Sequence, residues 1–275
     1  MESSKRSNTW KYILAFVIIV IHFVPIYMVL AIAFKSPYDH SSRWAFPGYV
    51  YLKNIYTALE RGGMLLALKN TVIISGISIL LIVVVGAMAA YPIARNRNRM
   101  NNLVKGFIMG VMMIPPLSIL VPLYSFMAKV QGINSYWGMI VTLLTFQLPT
   151  SIFLFSSFIS SIPIALEEAA AIDGCGPFQC FIQILLPLLK PALFSAGLFQ
   201  FLWTWNDFFN TNIYINTVSK FPLSLALRVS IDVTSNIQWN QVMSMALVSV
   251  IPLILLFFAA QKYFVEGIAT SGLKG

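Results

Sequence analysis

The stretch that decides the fold is Val72-Ile-Ile-Ser-Gly-Ile-Ser-Ile-Leu-Leu-Ile-Val-Val-Val85, which contains no charged residue. Its side chains show no alternation of period 2, the pattern typical of strands in a membrane barrel. With its apolar flanks the run is long enough to cross about 30 Å of hydrocarbon as a helix. Because a backbone in lipid must satisfy its own polar groups, the run predicts a transmembrane helix.

The composition of the whole chain indicates the same environment. Of the 275 residues, 58% are hydrophobic and only 10% are charged, and the mean hydropathy is +0.80. A soluble domain carries roughly 25% charged residues, so the composition excludes an ordinary soluble protein. The sequence therefore predicts an all-α, polytopic membrane protein.

Several segments of the chain have the length and apolarity of a membrane span. We predict six transmembrane helices in one membrane domain over residues 1–275, because no internal repeat or linker is visible. The first segment is too long for the apolar part of a signal peptide, so we expect it to be retained. The predicted spans are residues 12–34, 70–92, 103–127, 137–159, 191–213 and 241–262.

The net charge of +9 is interpreted as a topology signal rather than as a nucleic-acid-binding surface. Cations flank several apolar segments, and they are dense between the second and third spans, where Arg95, Arg97, Arg99 and Lys105 lie. Short loops rich in Lys and Arg tend to stay in the cytoplasm. We therefore expect a multi-pass protein of the bacterial cell (inner) membrane with both termini in the cytoplasm.

The segment between the fourth and fifth predicted spans has residues typical of the start and the end of a short helix. It is Ser161-Ile-Pro-Ile-Ala-Leu-Glu-Glu-Ala-Ala-Ala-Ile-Asp-Gly174. We predict that Ser161 caps the helix, that Pro163 lies in its first turn and that Gly174 ends it. At 1.5 Å per residue it would be about 16 Å long. Its alanines would let another protein approach closely, although a merely solvated helix is the alternative.

This segment resembles the EAA motif of ABC-importer permeases. Glu168-Ala169-Ala170 is followed after three residues by Gly174, and after nine more by Ile184, Leu186 and Pro187. The neighbouring Ile172-Asp173 and the later Trp205-Asn206-Asp207-Phe208 look like the carbohydrate-uptake branch. The final stretch, residues 261–275, is similar to the tail of the maltose-type "G" permeases, with Glu266 as a departure from that pattern.

The resemblance implies a type I importer permease fold with six transmembrane helices and a defined set of partners. These are a second homologous permease, two cytosolic ATPase subunits, an external solute-binding protein and a sugar, with an oligosaccharide expected. ATP and Mg²⁺ would be bound by the ATPase, so this chain itself would hold no cofactor or metal and perform no catalysis. The residues expected to couple it to the ATPase are Glu168, Ala169, Ala170, Asp173, Gly174, Ile184, Leu186 and Pro187.

Polar residues of the fifth predicted span suggest a substrate path. At 3.6 residues per turn they would share one helix face, and polar groups inside a membrane usually face a cavity or the bundle interior. Amides bond hydroxyl groups, and an aromatic ring packs on the apolar side of a sugar. Hydrogen bonding between helices is the alternative role. The predicted substrate-path residues are Gln200, Trp203, Asn206, Asp207 and Asn210.

Two other functions stay open at this point. An ion-coupled carrier or channel would need acids or cation pairs deep in its spans, and only Asp207 is a candidate. Import of an amino acid, phosphate or a metal ion is the second possibility. The two cysteines, Cys175 and Cys180, have no histidine nearby and are interpreted as free cytosolic thiols.

Overall fold

The computed structural model describes residues 3–60, 62–96, 98–232 and 238–272. Its regular elements are helices, with no strand in these ranges, which confirms the predicted all-α class. In chain order they are α1 (Ser3–Ala33), α2 (Lys53–Glu60), α3 (Met64–Arg95), α4 (Arg99–Met112), α5 (Pro116–Lys129), α6 (Tyr136–Ser161), α7 (Ala165–Ile172), α8 (Pro177–Cys180), a π-helical turn (Phe181–Leu185), α9 (Leu186–Leu188), α10 (Lys190–Trp205), α11 (Phe209–Tyr214), a 3₁₀ turn (Val218–Lys220), α12 (Leu223–Asp232) and α13 (Trp239–Gly272).

The described residues form two compact units. One unit comprises residues 1–65 and 226–252, and the other comprises residues 66–225 and 253–275. The second unit contains the predicted coupling loop, residues 161–190, and the predicted substrate-path residues. The assignment of residues 1–275 to one membrane domain stays a prediction.

Four of the predicted spans are continuous helices in the structure. Trp10–Ala33, Met64–Arg95, Tyr136–Ser161 and Trp239–Ala259 are each long and apolar enough to cross a membrane. Within the described residues the number rises to six if each of two bent helix pairs counts as one span. The two remaining predicted spans therefore differ from the prediction in continuity.

The third predicted span, residues 103–127, is not one helix. It consists of α4 and α5, whose axes are bent by 101° at the break after Met112. The consecutive prolines Pro115 and Pro116 cause the break, because proline has no N–H and keeps the preceding residue out of helical geometry. Pro115 is extended with ψ of 132°, and Pro116 is the first residue of α5.

The fifth predicted span, residues 191–213, is also interrupted. α10 ends at Trp205, and α11 begins at Phe209 after a short non-helical stretch. On its other side α10 forms a bent pair with the helical stretch Pro177–Leu188, at an angle of 74°. The turn between them lies at Leu189, between Pro187 and Pro191.

A buried apolar cluster in the second unit fixes the positions of the coupling loop and α10. It joins α3 and α6 to the π-helical turn and the start of α10, and Phe155 and Leu185 are completely buried in it. Burying such a side chain contributes about 1.5–3 kcal/mol. The other members are Ala87, Ala90, Ile152, Ile159, Phe181, Leu189 and Ala196.

Candidate functional site

The predicted coupling helix is present as α7, but it is shorter than predicted and starts differently. Ser161 does not cap it: this residue ends α6, and its hydroxyl donates to the carbonyl oxygen of Phe158 over 2.8 Å. Ile162 is extended because it precedes Pro163, which lies before the helix rather than in it. α7 has 8 residues, corresponding to about 12 Å rather than the expected 16 Å.

The end of α7 at Gly174 was predicted correctly. Gly174 has a φ of +86°, in the left-handed region that L residues with a side chain adopt at a cost. The N–H of Cys175 bonds the carbonyl oxygen of Ala170 over 3.0 Å, and the N–H of Gly174 bonds that of Ala171 over 3.1 Å. A left-handed glycine with these bonds satisfies carbonyl groups at the end of a helix.

α7 has an inner and an outer side. Ala170 is 7% exposed, whereas Glu168, Ala169 and Asp173 of the predicted coupling set are exposed. Ile172, on the same side, has 87% of its surface exposed. The sequence analysis did not select Ile172 as a contact residue, although an isoleucine at the end of a polar loop helix was a visible signal.

The second half of the motif follows in a helical stretch from Pro177 to Leu188. Its last short turn, Leu186–Leu188, includes Pro187. This last turn is possible because the preceding turn is π-helical, with the N–H of Leu186 bonded to the carbonyl oxygen of Phe181. Leu186 packs on the buried cluster, Ile184 is half-buried and Pro187 is exposed. The motif therefore combines outward-facing residues with residues that anchor the loop.

Glu167 is directed towards its own chain, unlike its neighbour Glu168. Its carboxylate forms an ion pair with Arg95, with 2.5 Å between Oε1 and the arginine Nε. The two side chains are 12% and 11% exposed. The sequence analysis had not paired them, because 72 residues separate them and neither position carries a local signal.

The five predicted substrate-path residues do not share one helix face, because α10 ends before Asn206. Gln200 is 8% exposed, and its Nε2 donates to the hydroxyl of Ser151 on α6 over 2.8 Å. Trp203 is 71% exposed. The Nδ2 of Asn206 donates to the carbonyl oxygen of Leu202, and that of Asn210 donates to the carboxylate of Asp207. The predicted common face is therefore wrong, although each residue keeps a defined position.

Three of these residues, Trp203, Asn206 and Asp207, line an open hollow of about 440 Å³ at the end of α10. Trp203 supplies an exposed ring, and Asn206 supplies an amide next to it. The remaining lining residues are Leu202, Phe208 and Phe209. An aromatic ring beside an amide is suited to a ligand that has both apolar faces and hydroxyl groups.

The structure shows the state of both cysteines. Cys175 is half-buried and Cys180 is buried, and both are free thiols, as predicted. In the described part of the chain, no three His, Cys, Asp or Glu side chains lie close enough together to share a metal ion.

Comparison with known proteins decides the family. Residues 82–270 match the family described as "Binding-protein-dependent transport system inner membrane component". The chain belongs to this family. The match includes the coupling loop and α10, and it confirms the resemblance that the EAA motif had indicated.

Known relatives can be aligned with most of the chain. It is 34% identical to the melibiose/raffinose/stachyose import permease protein MelC of Bacillus subtilis (strain 168), over 96% of this chain and 95% of that protein. It is 33% identical to the trehalose/maltose transport system permease protein MalG of Thermococcus litoralis, over 76% and 75% of the two chains. Family membership makes this chain a transport subunit in a membrane.

A solved structure has the same fold. A chain of a bacterial ABC transporter involved in the import of the acidic polysaccharide alginate superposes with a TM-score of 0.87. The alignment covers 96% of this chain and 98% of that chain, at 20% sequence identity. At this identity the likeness concerns the fold, and it confirms the predicted importer-permease architecture.

Proposed function

We propose that this chain is the permease subunit of an ATP-driven importer that carries a sugar, expected to be an oligosaccharide, across the bacterial cell membrane. It pairs with a second homologous permease, and two cytosolic ATPase subunits bind ATP and Mg²⁺ and supply the energy. An external binding protein delivers the sugar. The observation that carries this proposal is the geometry of α7, a short helix whose outer side exposes Glu168 and Ile172 while its inner side is anchored.

The outer side of α7 has the chemistry of a docking surface. Glu168 offers a carboxylate for a charge-assisted hydrogen bond, which contributes about 1.5–3 kcal/mol. Burying Ile172 against a partner would add about 1.5–3 kcal/mol. Ala169 has a small side chain, so a partner surface can approach the helix backbone closely. These are the properties that an ATPase subunit needs in a handle through which it moves the permease.

Transport then follows from a difference in free energy between two conformations. ATP favours the closed ATPase by a different amount in the inward-facing and outward-facing permease, and that difference drives the change of access. The exposed side of α7 and the turn at Gly174 are the parts of this chain that would report the ATPase state to the membrane helices. In this proposal both termini and this loop lie in the cytoplasm, and the basic residues between α3 and α4 support that orientation.

The sugar assignment rests on the relatives and on the hollow beside α10. Two permeases that are 34% and 33% identical to this chain are named for sugars. Trp203 and Asn206 are proposed to contact the sugar, through ring packing and amide hydrogen bonds respectively. Gln200 is buried against Ser151, and Asn210 and Asp207 bond each other, so the proposed part of these three in the path is to shape its wall.

The proposal is tested with the assembled importer in proteoliposomes. This chain is purified together with its second permease and its ATPase. The binding protein is added, and uptake of labelled raffinose, maltotriose and methionine is measured. We expect ATP-dependent uptake of at least one of the two sugars and none of methionine. Uptake of methionine alone would reject the sugar assignment, and uptake without ATP would reject the importer.

A matched pair of variants tests the docking surface. Glu168→Gln removes the exposed charge from α7, and the loss of a charge-assisted bond should weaken the hold on the ATPase by about tenfold or more. Glu60→Gln makes the same change on an exposed glutamate of α2 and should leave that hold unchanged. Equal retention of the ATPase by both variants would contradict the role of Glu168.

A further inference from the structure

Arg95, the last residue of α3, connects three elements at one end of the second unit. Its Nε donates to Oε1 of Glu167 on α7 over 2.5 Å. Its Nη2 donates to the carbonyl oxygen of Ile162, directly after α6, over 3.1 Å. One guanidinium therefore holds the ends of α3 and α6 and the inner side of α7 together.

Tyr91 completes the arrangement from the preceding turn of α3. Its hydroxyl donates to Oε2 of Glu167 over 3.0 Å, so both carboxylate oxygens are bound by α3. The Tyr91 ring packs against Phe181 of the π-helical turn, with 5.3 Å between ring centroids. Tyr91 thereby extends the contact to the second half of the coupling loop.

Apolar packing between α7 and α3 is incomplete at this point. An open hollow of about 560 Å³ lies between them. It is bounded by Met88 and Pro92 on the α3 side and by Ala171 on the α7 side. The hydrogen bonds of Glu167 therefore cross a gap that side-chain packing does not fill.

α7 also lacks the means to hold its own orientation. Isolated helices shorter than about 12–15 residues are marginal in water, and α7 has 8 residues. Ile164 at its N-cap position makes no side-chain capping bond. Contacts with the rest of the chain must therefore set the direction in which Glu168 and Ile172 point.

From these contacts we propose that Glu167, Arg95 and Tyr91 form a clamp that transmits movement of α7 to α3. This role rests on the proposed function, in which an ATPase binds and moves α7. If α7 moved alone, Glu167 would separate from Arg95, and separation of a part-buried ion pair leaves both charges without their partner in a poorly solvated place. With the clamp intact, displacing α7 displaces the end of α3 as well. The three are positioning residues, because they orient the docking surface without forming it.

The test compares transport with ATP hydrolysis in the assembled importer. Glu167→Gln and Arg95→Gln should lower the amount of solute transported per ATP hydrolysed by roughly 2- to 30-fold, the range of coupling changes that such mutations cause. The ATPase should stay bound, because Glu168 and Ile172 are unchanged. Tyr91→Phe keeps the ring on Phe181 and removes one hydroxyl, so it should change the ratio in the same direction by less.

A second measurement reads the position of α7 directly. Hydrogen exchange of the α7 amides in the assembled importer should be faster in Glu167→Gln than in the unaltered chain, because the helix loses its anchor. The exchanged pair, Arg95→Glu with Glu167→Arg, restores opposite charges and should recover part of the transport per ATP.

The outcomes separate the clamp from the proposed function. If the unaltered chain retains no ATPase, the proposed function fails and the clamp with it. If the unaltered importer works and both charge variants keep its transport per ATP, only the clamp is wrong. If the charge variants and Tyr91→Phe all lose assembled complex in strict proportion to lost transport, the three residues act on stability alone. That result would equally overturn the proposal.

Discussion

The carboxylate of Asp207 accepts a hydrogen bond from the backbone N–H of Thr211, with 3.2 Å between Oδ2 and N. The Thr211 hydroxyl donates to the same oxygen, and Nδ2 of Asn210 donates to Oδ1 over 2.9 Å. Asp207 lies one residue before the N-cap position, Phe208, and its carboxylate accepts the N–H of Thr211 in the first turn of α11. Its carboxylate is bound by its own chain, which accounts for an acidic residue here without an ion-coupled mechanism.

Replacing Asp207 tests the role of these hydrogen bonds. Asp207→Ala should lower the free energy of unfolding by about 1 kcal/mol, because the bonds from Asn210 and Thr211 lose their acceptor. Asp207→Asn should cost less, because its amide oxygen can still accept the N–H of Thr211. Thermal unfolding of the purified chain in detergent measures both effects. An Asp207→Ala variant with unchanged stability but altered sugar affinity would instead show direct contact with the solute.

The helices that could be predicted from sequence are those with uninterrupted apolar runs. α3 and α6 agree with their predicted spans to within a few residues, because length and hydropathy alone determine them. The prolines that cause the break between α4 and α5, Pro115 and Pro116, are visible in the sequence. The break was nevertheless not predicted, because residues 103–127 together have the length and apolarity of one span. The interruption after Trp205 has no such signal, since no proline lies between Trp205 and Phe209.

In the coupling loop, too, only some of the residue roles could be predicted from the sequence. Gly174 was predicted correctly because its role depends on local backbone geometry. Ser161 was predicted wrongly because α6 continues to it, and hydropathy does not mark where that helix ends. The pair Arg95–Glu167 could not be predicted, since one sequence does not show which distant charges meet.

Substitution of Gly174 should weaken coupling through the backbone alone. Gly174→Ala places a Cβ on a residue with φ of +86°, at a cost of about 1–2 kcal/mol, although nothing lies within 4 Å of the added atom. Gly176→Ala is the matched control, because Gly176 has a φ of −71° and equally open surroundings. ATPase retention should fall in the first variant and not in the second. Equal retention would show that the turn at Gly174 tolerates a side chain.

The segment after α1 should respond to acid. Hydrogen bonds from Ser41 and Tyr49 lower the pKa of Asp39 from 3.8 to about 2. The bond between Tyr49 and Asp39 also raises the pKa of Tyr49. Because the folded pKa is the lower one, this stabilisation is present above pH 3.8 and is lost as the pH falls towards about 2. Pepsin cleavage around Tyr49 should therefore increase across that interval.

The variant Asp39→Asn provides the control for the acid response. It removes the titrating carboxylate, so its cleavage should vary with pH only as the activity of pepsin itself does. Dividing the cleavage rate of the unaltered chain by that of the variant at each pH isolates the effect of Asp39. A ratio that stays constant between pH 4 and pH 2 would show that the carboxylate does not order this segment.

The bond between Gln200 and Ser151 offers a test of whether α10 contacts the solute. Gln200 donates through Nε2, while its buried Oε1 has no hydrogen-bond partner in the described part of the chain. Gln200→Leu removes the unsatisfied acceptor but leaves the buried Ser151 hydroxyl without its donor, so the two effects oppose each other and stability should change by less than about 1 kcal/mol. Ser151→Ala leaves the amide unpaired on both sides and should cost about 1–3 kcal/mol. Chemical unfolding of the two variants should therefore rank Ser151→Ala as the less stable.

If Oε1 accepts a hydroxyl of the solute during transport, Gln200→Leu should in addition raise the sugar concentration needed for half-maximal uptake, whereas Ser151→Ala should not. Uptake curves that coincide for the unaltered chain and Gln200→Leu would remove Gln200 from the substrate path and leave it a link between α6 and α10.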